Sequence, residues 1–165
     1  MDQTVAREIA RLKHVGQSTR FGESVFAHVQ RVADRVAPEA CNAALLHEIF
    51  ELTPVSRAEL QARGLSRPEL AALRLLTHRP HVSYVTHVHR IAEAPGDHGR
   101  IARMVKLADL DDHLAHPEIP LDAPPYAWAR RCLLGPRELE EGAKITRFGR
   151  YEAAQLAHSG GPSQP

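Results

Sequence analysis

The stretch AALLHEIFELTP, residues 43–54, sets a histidine and two glutamates inside an apolar run that reads as the middle of a core helix. A carboxylate taken out of water without a partner loses on the order of several kcal/mol, so a buried glutamate there must be neutral, paired or bound to a cation. The spacing predicts one helix from about Pro38 to Phe50, with Ala40, Ala44, His47 and Glu51 on one stripe. That stripe begins apolar and ends polar.

The helical period continues on both sides. Val5, Ile9 and Leu12 define a first helix closed by Gly16, and Val25, Val29, Val32 and Val36 a second that stops before Pro38. Downstream, Ser56-Arg-Ala-Glu59 and Ser66-Arg-Pro-Glu69 each read as a capping box flanked by a hydrophobic staple, so helices are expected over about 57–63 and 67–77. Ser83 can cap a helix carrying Val85, Val88 and Ile91, which Ala94-Pro-Gly-Asp97 breaks. Ile101, Val105 and Ala108 then lead into KLADLDDHL, another helix. Residues 117–125 hold four prolines and read as a loop, followed by closing helices over about 126–134 and 137–158 and a disordered tail over 159–165. The expectation is an all-α bundle of about six to eight helices in a single domain over residues 1–158.

Composition narrows the function classes. A hydrophobic fraction of 43% and a charged fraction of 25% are those of a soluble globular chain, and no apolar stretch approaches the roughly 20 residues that span a bilayer. The start of the chain alternates charged and apolar residues instead of presenting a signal sequence, and two cysteines build neither a disulfide framework nor a thiolate metal cluster. A reduced, cytoplasmic setting is expected. The net charge of +1 gives no footprint for a nucleic-acid duplex or an anionic membrane, which leaves a small charged ligand as the expected partner.

Three polar positions interrupt otherwise apolar helix faces: His28 between Val25 and Val32, the pair His47 and Glu48, and Asp109 beside Val105 and Ala108. Two imidazoles and two carboxylates make a mixed nitrogen and oxygen set suited to Mn²⁺, Fe²⁺ or a similar transition ion, and not to Ca²⁺ or a thiolate zinc site. Each has an ordinary explanation when taken alone. A histidine on a helix face is usually a satisfied core residue, Glu48 can pair with an arginine, and Asp109, Asp111 and Asp112 can form a solvated face. The histidines between His78 and His98, His87 and His89 included, read as surface residues.

Order and spacing together say more. A histidine, then His-Glu about nineteen residues on, then an aspartate about sixty later, runs through HVGQSTRFGESVFAHVQRVA, AALLHEIFELTPVS, LTHRPHVSYVTHV and VKLADLDDHL. This resembles the HD-domain metal-dependent phosphohydrolases, most closely their guanosine tetraphosphate hydrolase branch, the RelA/SpoT hydrolase domains and small alarmone hydrolases. The resemblance runs from about Lys13 to His113 and more weakly to Tyr151. It implies an HD-type helical bundle with His28, His47, Glu48 and Asp109 as ligands of a divalent metal, Mn²⁺ first and Fe²⁺ or another transition ion next. Glu51 would be the first member of the family's catalytic Glu-Asp pair. Arg20 would meet substrate phosphates, Arg147 and Tyr151 match an Arg-x-x-x-Tyr spacing that contacts substrate in some small alarmone hydrolases, and Lys106 would orient an acid or a phosphate.

Three departures shape the expected function. Glu48 stands where the family's naming Asp is, Leu52 replaces the second acid of the Glu-Asp pair, and Leu110 and His113 replace the Arg and Asn of the KLADRLHN pattern. The implied activity is hydrolysis of a nucleotide, with the 3′-pyrophosphate of guanosine tetraphosphate (ppGpp) the first candidate. The alternatives are an HD hydrolase of other nucleotides or phosphomonoesters and a non-catalytic, HD-like nucleotide sensor.

Overall fold

Nineteen residues, Gly96–Leu114, make the longest helix among the described residues, and most of the other helices gather round it. In the computed structural model, residues 1–117 and 123–135 are described, and Met1–Leu133 form one compact unit. In chain order the helices are α1 (Gln3–Lys13), α2 (Val25–Ala33), a short 3₁₀ turn (Pro38–Ala40), α3 (Cys41–Leu45), α4 (Ile49–Leu52), α5 (Arg57–Ala62), α6 (Arg67–Leu76), α7 (Tyr84–Glu93) and α8 (Gly96–Leu114). Residues 126–133 are again helical. Among the described residues there is no strand, only one isolated bridge between Ser18 and Ser24, so the expected all-α bundle is the observed architecture. None of these helices is long and apolar enough to cross a membrane.

Local sequence explains where the helices start. Asp2, Ser56, Ser66 and Ser83 each accept a backbone N–H of the first turn that follows, and at Ser66 the Glu69 carboxylate returns the bond to complete a capping box. Packing then decides which faces turn inward. Helix α8 lies against α2, α3, α6 and α7, and the core between them holds Val29, Leu45, Leu46, Ile49, Leu73, Ile91, Val105 and Leu110. Leu110 is fully buried there, so the departure from the family pattern at this position faces the core and not the solvent.

The helix expected from about Pro38 to Phe50 is interrupted. Leu46 leaves the α region (φ −111°, ψ 7°), Glu48 lies at its edge (φ −87°, ψ −6°), and the Ile49 N–H donates to the Leu46 carbonyl instead of continuing the helical ladder. The reason is a side chain. His47 Nδ1 lies 2.7 Å from the Ala44 carbonyl oxygen, the acceptor that the Glu48 N–H would take in an unbroken helix. The His-Glu pair therefore sits on a tight turn between α3 and α4, walled by fully buried Leu45, Leu46 and Ile49. Past α7, Ala94 and Pro95 make a single corner, and α8 begins at Gly96, so the expected break is shorter than the Ala94–Asp97 signal. The expected helix over 137–158, the tail, and Arg147 and Tyr151 lie outside the described residues.

Candidate metal centre and cleft

Three elements deliver the four candidate ligands to one point. Helix α2 brings His28, the turn between α3 and α4 brings His47 and Glu48, and α8 brings Asp109. His28, His47 and Asp109 are buried, at 1%, 6% and 2% exposure, too deep for water to solvate their polar atoms. His28 Nε2 lies 3.3 Å from Asp109 Oδ1, His47 Nε2 lies 3.8 Å from the same oxygen, and His47 Nε2 lies 3.3 Å from Glu48 Oε1. Yet His28 Nε2, His47 Nε2 and Asp109 Oδ1 are all buried without a hydrogen bond of acceptable geometry among the described residues. Each such atom costs about 1–3 kcal/mol if nothing meets it.

The far side of each imidazole is fixed. A carbonyl oxygen only accepts, so His47 Nδ1 carries the proton toward Ala44 O and Nε2 keeps its lone pair for the centre when the ring is neutral. His28 Nδ1 is held in the same way, 2.9 Å from Asp112 Oδ2. Two donors about 2.1 Å from one ion and at right angles to each other are about 3.0 Å apart. The observed spacing, the buried atoms without partners and the mixed donor set are compatible with a bound metal ion, with His28, His47, Glu48 and Asp109 as the residues that could hold it.

Asp112 corrects the expectation of a solvated acidic face. It is 2% exposed and accepts from His28, Arg31 and Arg35, which hold its carboxyl far below the ordinary carboxylate range against the opposing effect of burial. Its role is to anchor an imidazole from behind. Asp111, two positions beyond Asp109, points to a different face and pairs with Arg130.

Charge at the centre is tightly coupled. Lys106 Nζ is 2.7 Å from Asp109 Oδ2, and this bond with the neighbouring imidazoles keeps Asp109 ionised despite burial. The same pairing keeps the Lys106 ammonium charged, raising its pKa although burial opposes it. Burial alone would lower the pKa of His47, but Asp109 and Glu48 outweigh it and push the ring up to about 10 in the ion-free protein. His28 is raised by Asp109 and Asp112, again against burial.

A sign follows for stability. A folded-state pKa raised above the unfolded value gives stability that is complete below about pH 6.5 and lost as pH rises toward 10. In chelator, the stability advantage of the protein over His47→Gln is expected to shrink across that window. Affinity for a divalent ion should change the other way and strengthen with pH, because a ligating imidazole must be neutral. Denaturation midpoints measured from pH 6 to 10 with chelator or with Mn²⁺ check both; a chelated advantage that grows with pH contradicts the assignment.

Above the centre opens a cleft of about 320 Å³. The loop from His14 to Ser24 forms one rim, bent at Gly16 and Gly22, whose φ angles of 72° and 78° suit glycine. Gln17 ties that loop down, meeting His14 Nδ1 at 2.7 Å and donating to the Leu52 carbonyl at 2.9 Å, so Thr19 and Arg20 stand over the opening. The opposite rim is the end of α4, with Glu51 and Leu52. A carboxylate oxygen of Glu51 accepts the His78 backbone N–H, and burial together with the Glu48 charge raises its pKa above the ordinary value.

The third wall was not anticipated. His87, expected on the surface, is 5% exposed and lines the cleft with Tyr84 and His78. Burial and the Lys106 charge press the His87 pKa down to about 4, so the ring is neutral at physiological pH. The Tyr84 hydroxyl is buried with no hydrogen-bond partner among the described residues. The sequence carried one faint signal for this wall, a tyrosine and a histidine three apart on a capped helix. His113 was noted only as a departure, yet it too faces the centre, with Nε2 3.1 Å from Asp109 Oδ1.

Of the expected site residues, His28, His47, Glu48, Glu51, Lys106, Asp109 and Arg20 all line this one cleft. No protein-family model matches the chain, and no curated protein is significantly similar to it.

Proposed function

We propose that the chain is a metal-dependent phosphohydrolase acting on a nucleotide. The observation that carries this reading is the convergence of buried, unpartnered nitrogen and oxygen atoms from His28, His47 and Asp109 at the floor of a cleft that also presents Glu51 and Arg20. A divalent ion held by His28, His47, Glu48 and Asp109 would supply Lewis acidity toward a phosphoryl oxygen and lower the pKa of water. Glu51, with its raised pKa and its anchor on the His78 N–H, accepts the proton of the attacking water at its carboxylate. Arg20 and the Tyr84 hydroxyl offer hydrogen bonds to phosphoryl oxygens as charge builds on them. Neutral His87 adds an apolar, weakly basic wall without competing for the proton.

For guanosine tetraphosphate the balanced step joins the water oxygen to the phosphorus on the ribose 3′ oxygen. The bond between that phosphorus and the 3′ oxygen breaks, and the 3′ oxygen takes up a proton, giving GDP and pyrophosphate. A phosphate-release panel with Mn²⁺ tests the reading: pyrophosphate and GDP from the alarmone support it in full. A second reading, hydrolysis of other nucleotides or phosphomonoesters, is favoured by the cations lining the cleft. Among the described residues these are Arg20 and Lys106, and Lys106 is committed to Asp109, which suits few phosphates. Inorganic phosphate from mononucleotides with no pyrophosphate would select it. No turnover of any substrate, with saturable nucleotide binding, would leave the sensor.

Leu52 offers a graded test. Its side chain is at the cleft and 44% exposed, so an acid there costs little stability. Leu52→Asp restores the family's second acid and is expected to raise alarmone turnover by up to about 10²–10⁴-fold, with metal content unchanged. A folded, metal-loaded variant no faster than wild type would move the limiting departure elsewhere in the cleft.

A further inference from the structure

We propose that His113 is a fifth protein ligand of the metal centre, which makes it a site of three histidines and two carboxylates. The inference rests on the metal reading above and goes beyond its four ligands, since the resemblance places an asparagine at this position. Asp109 and His113 are four residues apart on α8, so they project from the same face. His113 Nε2 is 3.1 Å from Asp109 Oδ1, close to the 3.3 Å at which His28 Nε2 meets that same oxygen. One donor atom from each of His28, Asp109 and His113 lies within 4.8 Å of the other two.

The rings are arranged for it. His113 is parallel to His28, with 2° between their planes and centroids 5.0 Å apart, and Tyr126 closes on its other side at 4.7 Å. A plain hydrogen bond from His113 to Asp109 is the alternative, and direction excludes it: Asp109 Oδ1 has three imidazole nitrogens within 3.1–3.8 Å and no hydrogen bond of acceptable geometry. Nitrogen and oxygen atoms that crowd together without pointing at one another are what donors aimed at a shared centre show. The charge of Asp109 is in any case already matched by Lys106.

Two consequences follow. A third imidazole shifts preference from Mn²⁺ toward Fe²⁺, Co²⁺, Ni²⁺ and Zn²⁺, and on a six-coordinate ion five protein donors leave one position for water or substrate. His113 is also the least anchored of the three rings, because its Nδ1 is buried without a partner whereas those of His28 and His47 are hydrogen-bonded.

The test is a Co²⁺ titration of metal-stripped wild type and His113→Asn, read by visible absorption and not by turnover. The variant is expected to bind Co²⁺ about tenfold or more weakly with an altered spectrum, and to lose much less affinity for Mn²⁺. Proton NMR of the Co²⁺-loaded wild type needs no variant: three hyperfine-shifted imidazole N–H signals support the proposal, and two overturn it. Equal Co²⁺ affinity and identical spectra for both proteins also overturn it while the four-ligand centre stands. A wild type that takes up no Co²⁺ overturns both.

Discussion

On the proposed metal reading, Asp109→Ala is expected to abolish binding of a divalent ion and to destabilise the fold by about 3–5 kcal/mol. Two oxygens are lost, and each has a different partner. Oδ1 faces the imidazoles of the centre, so its removal takes away the one donor that His28, His47 and His113 all approach. Oδ2 holds Lys106 at 2.7 Å, and that ammonium, only 14% exposed, would be left without its counter-charge. The size of the loss comes mainly from this stranded cation and less from the pair as such. Asp109→Ala combined with Lys106→Met should therefore recover much of the stability while remaining metal-free. Denaturant unfolding in chelator compares the proteins without the added stabilisation of a bound ion, and elemental analysis reads the metal. Equal metal in wild type and Asp109→Ala would sink the centre as drawn.

The contrast between Lys106 and Asp112 shows how far the sequence could be read. Lys106 and Asp109 lie on one helix three residues apart, and the whole motif block is local, so periodicity and spacing brought them to the same face in advance. Asp112 is one turn further on, but its partners Arg31 and Arg35 are on and just after α2, about eighty residues away in sequence, and nothing local marks it as buried. His87 is similar. Its helix has a sound apolar stripe through Val88 and Ile91, and only the docking of α7 on α8 turns the adjacent histidine into the cleft. The helix periods and caps were legible because they are set by neighbours within four residues. The break at His47 was not, because it depends on which acceptor an imidazole takes, the Ala44 carbonyl, and a period count treats that carbonyl as belonging to the backbone ladder.

That break also changes what the motif means physically. In an unbroken helix His47 and Glu48 would diverge by about 100°. On the turn they converge, with Nε2 and Oε1 3.3 Å apart, so the Glu48 carboxylate reaches the centre.

Glu51→Gln is expected to lower kcat by about 10²–10⁴-fold while leaving metal content unchanged. The exchange is nearly isosteric. A glutamine oxygen can still accept the His78 N–H, so the side chain keeps its anchor at the cleft rim and the stability change should stay within about 0.5 kcal/mol. What disappears is the base of the proposed reaction. Burial and the Glu48 charge hold Glu51 above the ordinary carboxylate range, so the wild-type rate should fall on the acid side of a pKa displaced upward from that of a free glutamate. In Glu51→Gln that acid limb should vanish from the residual activity, because no proton acceptor remains to be titrated there. A role confined to holding the His78 segment would behave differently: the variant would keep the limb and lose little rate. A metal-loaded Glu51→Gln with kcat within a few fold of wild type on the substrate that the panel identifies would therefore remove Glu51 from the chemistry and shift the search for the base to the opposite wall of the cleft, where His87 is neutral and Tyr84 is unpartnered.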